Sequence, residues 1–257
     1  MQKESGIRLT RRDVLAAVLL LAAVLLLAAV PCIILYGIYG LGDRKYLLTS
    51  LLMILCSMLA FTYTLERRKP RARELVTIAV MTAIAVAGRA AFYAIPQFKP
   101  VAAIVIISGV CLGPQSGFLV GALAAFVSNF FFGQGPNTPF QMFGFGIIGL
   151  LAGFLFSRSP WKRNRVPWRQ NRVVLCTYGG LSTLILYGGT VNLGSLLITG
   201  LPFTWPSYLA FCAAGLPFDL IHAAASVVFL FFLSHPMMKK LERMKTKYGI
   251  LDKEGDW

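Results

Sequence analysis

The sequence contains few charged residues, and most of those that it has are basic. Only 14% of its 257 residues are Asp, Glu, Lys or Arg, whereas 57% are hydrophobic. A soluble globular domain carries about a quarter charged residues, and a disordered chain is poor in apolar side chains. The composition therefore excludes both classes. A helix that crosses a bilayer needs about 20 apolar residues, and the chain is long enough for several.

Several catalytic motifs are also missing. The sequence has no G-x-x-x-x-G-K-[ST], no G-x-S-x-G and no H-E-x-x-H, so it lacks the P-loop, the serine-hydrolase elbow and the zinc-protease helix. No apolar segment holds a pair of carboxylates or an acidic chain for a proton relay. These absences argue against an ATPase, an intramembrane hydrolase and an autonomous pump.

The cysteines predict neither disulfides nor a metal site. They occur singly, in or beside apolar segments and without a C-x-x-C pair, at Cys32, Cys56, Cys111, Cys176 and Cys212. Thiols in such surroundings pack as small apolar side chains. We therefore expect no metal and no cofactor in this chain.

Eight apolar segments are candidates for membrane spans. They are Val14 to about Gly40, Tyr46–Leu65, Leu75–Ile95, Val101–Leu112, Gly117–Phe132, Phe140–Phe156, Val173–Ile198 and Tyr208–Leu233. The fourth is short, and Gly113-Pro114 separates it from the fifth. The predicted fold is an all-α integral membrane protein, in which a two-helix transmembrane hairpin precedes a six-helix bundle. The corresponding domains are a hairpin with its tail at 1–68, a membrane domain at 69–236 and a charged cytoplasmic tail at 237–257.

The basic residues predict the topology. All but four of the 25 Lys and Arg residues fall in four clusters, at the N-terminus, at 67–73, at 158–172 and at 239–253. Eight crossings place all four clusters on one side, which the positive-inside rule assigns to the cytoplasm. We therefore predict a multi-pass protein of the bacterial cytoplasmic membrane, with both termini cytoplasmic and a retained signal-anchor as its first helix. The net charge of +15 then serves topology and contact with anionic lipids, not nucleic-acid binding.

Small residues recur every four positions on three of the spans. Glycine does so at Gly113, Gly117, Gly121, Gly149 and Gly153, and alanine at Ala79, Ala83 and Ala87. Residues with this spacing share one face of a helix, which allows another helix to approach closely. Packing inside the bundle accounts for the glycines. For the alanine face, packing inside the bundle and docking of a partner subunit both stay open.

Three ionisable residues, Arg89, Asp219 and His222, fall inside apolar spans. Such groups are costly in hydrocarbon and are usually functional, so all three are candidates for binding a substrate. An ion pair between Arg89 and Asp219 that only fixes helix register is the alternative. His222 lies one turn from Asp219, within reach of a hydrogen bond. One Asp and one His are too few ligands for zinc.

Three predicted outer loops combine aromatic rings with neutral amides. The candidate substrate-binding residues in and beside them are Tyr93, Gln97, Phe98, Lys99, Asn129, Gln134, Asn137, Gln141 and Trp205. Aromatic residues at a membrane interface commonly act as anchors, but the amides exceed that need. Aromatic walls with a few hydrogen-bonding groups are typical of a pocket for a planar, amphipathic small molecule.

The segment from about Arg71 to Leu233 resembles the substrate-binding (S) component of energy-coupling factor transporters. The resemblance rests on the six spans, the alanine face on the first of them, and three runs of sequence. These runs are Asn129–Phe132, Gly133-Gln134-Gly135-Pro136 followed by Pro139-Phe140-Gln141-Met142-Phe143-Gly144, and Gln97-Phe98-Lys99-Pro100. Within the family the chain looks most like members linked to cobalamin-type cofactors.

The resemblance implies a transporter subunit and no catalytic residues. An S component captures a vitamin or its precursor outside the cell and docks through its first helix, here at Ala79, Ala83 and Ala87, on a transmembrane coupling subunit. Two ATPase subunits then power a toppling that exposes the ligand to the cytoplasm. The favoured substrate is cobalamin-like, followed by another vitamin or a modified-nucleobase precursor. The hairpin Val14–Leu65 departs from the six-helix family core, and its role stays open.

Two other functions stay open from the sequence. A membrane enzyme acting on a lipid would use Arg89, Asp219 and His222. A structural or assembly protein would use the aromatic residues of the loops only as interfacial anchors.

Overall fold

Six helices form the part of the chain that the computed structural model describes, residues 72–156 and 171–248. They are α1 Ala72–Ala91, α2 Val101–Leu112, α3 Pro114–Phe132, α4 Thr138–Phe156, α5 Arg172–Ile198 and α6 Trp205–Tyr248. All except α2 are long and apolar enough to cross a membrane. The predicted hairpin and the boundary near residue 68 lie outside the described residues, so the count of eight spans stays a prediction.

Two helices have C-terminal ends that differ from their predicted limits. α1 ends at Ala91 and not at Ile95, because Pro96 has no amide hydrogen to continue the helix and its ring disfavours helical geometry in the preceding residue. α6 runs past Leu233 to Tyr248 without a break at 236–237, where the tail was predicted to begin. Apolarity ends near Leu233, but the Met, Lys, Leu and Glu residues that follow are strong helix formers.

The short helix α2 lies at the centre of the bundle. All of its residues are buried, and it packs against the helices that surround it, including α1, α3, α4 and α6. Twelve residues rise by about 18 Å, which is less than the bilayer core of about 30 Å. A turn at Gly113, where φ is +97°, reverses the chain into α3. This conformation suits glycine because it has no side chain.

Glycines allow α3 and α4 to pack backbone against backbone. A Cβ atom added at Gly117 would lie 2.5 Å from the carbonyl oxygen of Gly149, and one added at Gly121 would lie 2.5 Å from the carbonyl oxygen of Phe145. The predicted packing role is therefore confirmed for these positions. Gly113 is the exception, because a Cβ atom there would meet nothing within 4 Å and the residue serves the turn instead.

α5 contains a π-helical turn at Thr183–Tyr187. Such turns often mark functional positions in helices. The turn begins at Thr183, whose hydroxyl oxygen is 2.9 Å from that of Ser226 on α6. It ends at Tyr187, whose ring is buried. The turn thus sets the position of one of the rings in the candidate site.

The loops 92–100, 133–137 and 199–204 lie at one end of the bundle, which we call the loop end. The Tyr93 ring stacks on Phe132 with 5.4 Å between centroids, which joins the first loop to the end of α3. Asn137 Nδ2 in the second loop donates to Ser195 Oγ near the end of α5 at 3.1 Å. These contacts join the first loop to α3 and the second loop to α5.

Candidate functional site

A polar network centred on Asn129 joins α1, α3 and α4 at the loop end. Asn129 is 2% exposed. Its Oδ1 accepts from Arg89 Nη1 at 2.8 Å, and its Nδ2 donates to Thr138 Oγ1 at 2.9 Å and to Gln141 Oε1 at 3.0 Å. Arg89 Nη1 also donates to Ser128 Oγ. The structure thus brings together three of the predicted site residues, Arg89, Asn129 and Gln141.

Two other predicted amides lie at the edge of this network. Gln134 is exposed, but its Oε1 accepts from Thr138 Oγ1 at 3.0 Å and its Nε2 donates to the carbonyl oxygen of Phe126 at 3.0 Å. Asn137 points to α5, where it bonds Ser195, and its buried Oδ1 has no hydrogen-bond partner. Gln134 therefore shapes the second loop, whereas Asn137 keeps an acceptor free.

Arg89 and Lys99 lie over the same aromatic ring. The guanidinium carbon of Arg89 is 4.9 Å from the centroid of Phe132, and Lys99 Nζ is 5.9 Å from it. The ring face attracts both cations. Burial, followed by the charge of Arg89, lowers the pKa of Lys99 below its ordinary value. Two like charges are therefore held close together without a carboxylate between them among the described residues.

The first loop places Lys99 through a strained turn. The amide of Phe98 donates to the carbonyl oxygen of Pro96 at 2.7 Å, and Gln97 between them has a φ of +56°. This is a γ-turn with a positive φ, a rare and costly conformation for a residue with a side chain. Phe98 then packs on Phe229 of α6, with 5.3 Å between ring centroids. The loop consequently folds down along α6 and carries Lys99 towards the interior.

Asp219 bonds an amide and not Arg89. Its Oδ2 accepts from Asn192 Nδ2 at 2.8 Å. Glycines make room for both side chains: a Cβ atom at Gly188 would lie 2.8 Å from the carboxylate carbon of Asp219, and one at Gly215 would lie 2.5 Å from Asn192 Oδ1. The alternative of an Arg89–Asp219 ion pair is therefore wrong for the described structure, because each of the two residues has its own neutral partner.

His222 is enclosed by rings on two other helices. It is 4% exposed, and its centroid is 4.8 Å from that of Tyr187 and 5.7 Å from that of Phe145. Its Nε2 has no hydrogen-bond partner, so the expected bond to Asp219 is not made by this nitrogen. Phe145 follows Gln141 of the Asn129 network by one turn of α4, so the imidazole lies about one helical turn below that network.

The exposed aromatic candidates lie outside this region. Trp205 is 69% exposed, and its ring contacts Phe203 and Tyr208 of the same segment. Tyr93 is 70% exposed and meets only the rim of the network through Phe132. Exposed aromatic residues of this kind suit an interfacial belt, so the structure does not join them to the buried polar groups.

Sequence reasoning missed Asn192 and Tyr187. The signal for Asn192 was present in the sequence, because a neutral amide in an apolar span is costly in hydrocarbon just as an ionisable residue is. No pattern in the sequence singles out Tyr187, because its position depends on the π-helical turn.

The alanine face of α1 points away from the described bundle. Ala79, Ala83 and Ala87 are exposed, and the buried side chains lie on the opposite face. Apolar neighbours such as Val76 and Val80 are exposed as well. Of the two interpretations that the sequence left open, packing against the described helices is therefore wrong.

A family model supplies the comparison with known proteins. Residues 73–234, more than half of the chain, match the family described as ECF transporter, substrate-specific component. The chain belongs to this family. Searches of curated proteins and of solved structures found no match. The family expectation is thus confirmed, whereas the likeness to cobalamin-type members stays a proposal.

Membership defines the role of this S component in general terms. S components are substrate-binding transporter subunits and not enzymes, and they work in a membrane with transmembrane and ATPase subunits. The five long apolar helices of the described residues agree with a multi-pass membrane protein. The family therefore favours transport over the lipid-modifying enzyme and the assembly protein.

Proposed function

We propose that this S component captures a vitamin or cofactor precursor at the loop end and delivers it inward with its coupling and ATPase subunits. The polar network around Asn129 carries the proposal. A guanidinium and several amides inside an apolar bundle cost free energy, and groups of this kind usually mark a functional site in a membrane protein. The chain that holds this network belongs to a family of substrate-binding subunits. The ring of Phe132 beside the network and that of Tyr187 deeper in the bundle are suitable apolar walls.

A corrinoid is the first substrate to test. Corrinoids carry carboxamide side chains around a wide apolar macrocycle, so amides and aromatic rings are suitable partners for them. Asn129, Asn137 and Gln141 offer such amides at the loop end. Other vitamins and modified-nucleobase precursors follow in the order of testing.

The charge distribution supports an outward-facing loop end in a bacterial cytoplasmic membrane. Described basic residues at the opposite end of the bundle include Arg73, Arg172, Lys239 and Lys240. By the positive-inside rule this end faces the cytoplasm. A ligand then enters from outside, which is the direction of uptake.

The exposed alanine face is the proposed docking surface for the coupling subunit. Small residues let a partner helix approach closely in a membrane, and Ala79, Ala83 and Ala87 offer such a surface without weakening the described core. A bulky residue at one of these alanines should therefore block docking of the coupling subunit and leave ligand binding unchanged.

A ligand screen on the full chain tests the proposal. The protein is placed in phosphatidylcholine nanodiscs, and its melting temperature is measured with each B vitamin and corrinoid. A ligand at one hundred times its Kd should stabilise the fold by about 2.7 kcal/mol. The proposal fails if no compound stabilises the protein and if deletion of the gene leaves uptake of all of them unchanged.

A further inference from the structure

The two cations at the loop end lack anionic partners. Among the described residues, Lys99 Nζ has neither a hydrogen bond nor an ion pair, and the bonds of Arg89 go to the neutral oxygens of Ser128 and Asn129. Asp219, the acidic residue of α6 that could have paired with Arg89, accepts a hydrogen bond from Asn192 instead. A guanidinium has five N–H donors, so Arg89 retains donors for another group.

A buried nitrogen without a hydrogen-bond partner, His222 Nε2, lies below the Asn129 network. His222 is 4% exposed, and its Nε2 has no hydrogen-bond partner. A buried polar atom without a partner costs about 1–3 kcal/mol, and occupation by a ligand would remove that cost. Lys99 on the first loop and Arg89 on α1 meet at the ring of Phe132. His222 on α6 packs on Phe145, one turn of α4 beyond Gln141 of the Asn129 network.

We infer that the ligand of this S component carries a carboxylate or phosphate group, which binds between Arg89 and Lys99 with His222 Nε2 at its deep end. The inference rests on the proposed function. An anion would relieve the repulsion between the two cations, and a guanidinium binds carboxylate and phosphate oxygens through paired hydrogen bonds. Both cations lie within 6 Å of the Phe132 centroid, and a ring contact uses none of their N–H donors in a conventional hydrogen bond, so these stay available to the ligand.

The group belongs to a small molecule and not to a lipid. Lipid headgroups lie at the rim of a membrane protein, whereas Arg89 and Lys99 are half-buried and His222, at the deep end of the proposed site, is 4% exposed. A small molecule enclosed by the bundle reaches all three.

Matched pairs of compounds test the charge of the ligand. The full chain in phosphatidylcholine nanodiscs is titrated with cobinamide phosphate and with cobinamide, two corrinoids that differ only in the phosphate group. Further pairs are riboflavin phosphate and riboflavin, pyridoxal phosphate and pyridoxal, and nicotinate and nicotinamide. We expect at least one anionic member to raise the melting temperature and to bind about tenfold or more tightly than its neutral partner.

Lys99→Met and Lys240→Met form the matched variants. Lys99 lies in a loop and is only partly buried, so its loss should leave the fold intact, whereas Lys240 is exposed at the opposite end. Lys99→Met should lower the affinity for the anionic compound about tenfold or more, and Lys240→Met should leave that affinity unchanged.

Other outcomes overturn the inference in distinguishable ways. A neutral member that binds as tightly as its anionic partner rejects the anionic group but leaves the proposed function standing. A panel in which nothing binds contradicts both. Nanodiscs that contain phosphatidylglycerol provide the lipid arm: stabilisation by that lipid alone, lost in Lys99→Met, would assign the anion to a headgroup and reject the small molecule.

Discussion

Removal of the Asn129 side chain should destabilise the bundle more than any other single change at the loop end. Asn129→Ala deletes two neutral hydrogen bonds, to Thr138 and Gln141, and one charge-assisted bond from Arg89. Neutral bonds between membrane helices average about 0.6 kcal/mol, and a bond to a charged group contributes about 1.5–3 kcal/mol. The expected loss is therefore about 3–4 kcal/mol in the free energy of unfolding.

Asn129→Asp separates the bond to Arg89 from the other two. A carboxylate keeps the acceptor for Arg89 and strengthens it by charge, whereas the donor to Thr138 and Gln141 is lost. Gln141 can turn its amide to donate instead. We expect a loss of about 1 kcal/mol, clearly smaller than that of the alanine variant.

Equilibrium unfolding of the full chain in mixed micelles measures both values, with Gln134→Ala as the control. Gln134 belongs to the same network but is exposed, so water replaces its bonds and its loss should cost under about 1 kcal/mol. The reasoning is refuted if Asn129→Ala costs no more than this control, or if Asn129→Asp costs as much as Asn129→Ala.

Three further predictions follow from the same structure. Gly117→Ala should destabilise the fold by about 1–3 kcal/mol through overpacking against Gly149. Gly135→Ala should not destabilise it, because a Cβ atom there would meet nothing within 4 Å. Equal unfolding midpoints for the two variants would contradict the packing role of Gly117. Ala83→Leu should abolish uptake and association with the coupling subunit, while the melting temperature and the ligand affinity stay unchanged. Val228→Leu, at an exposed position of α6, is the control. Normal uptake by the Ala83→Leu protein would reject the docking surface. Because the pKa of Lys99 is lowered in the folded chain, the unfolded chain holds this proton more tightly and stability should rise as pH increases towards 10.5; a titration of the melting temperature should show this rise in the native chain and not in Lys99→Met.

Helix identity was predictable from apolar runs, but side-chain partnerships were not. The limits of α2 at Val101 and Leu112 coincide with the predicted segment, because Pro100 and Gly113 punctuate it. Its central, fully buried position could not be predicted, because a short apolar segment has the same sequence pattern at the centre of a bundle and at its periphery.

The candidate site shows the same division. Ionisable groups inside apolar spans are visible in a sequence as costly groups, and amides in predicted outer loops are visible from composition. Arg89, Asp219 and Asn129 were found in these two ways. Which acceptor each donor meets depends on helix rotation and depth. The sequence left open an ion pair between Arg89 and Asp219. In the fold, Ser128 and Asn129 accept hydrogen bonds from the guanidinium, and Asn192 donates to the carboxylate.

One helix connects the two proposed activities of this S component. α1 presents Ala87 on its exposed alanine face, and two residues later Arg89 joins the network on α3. Two residues of a helix rise by about 3 Å, so a ligand that binds Arg89 acts on the same rigid turn that faces the coupling subunit. On the two proposals above, ligand binding orders the end of α1 nearest the docking surface. An occupied and an empty site would then differ at the surface that the transporter reads, without any movement of the glycine-packed helices α3 and α4.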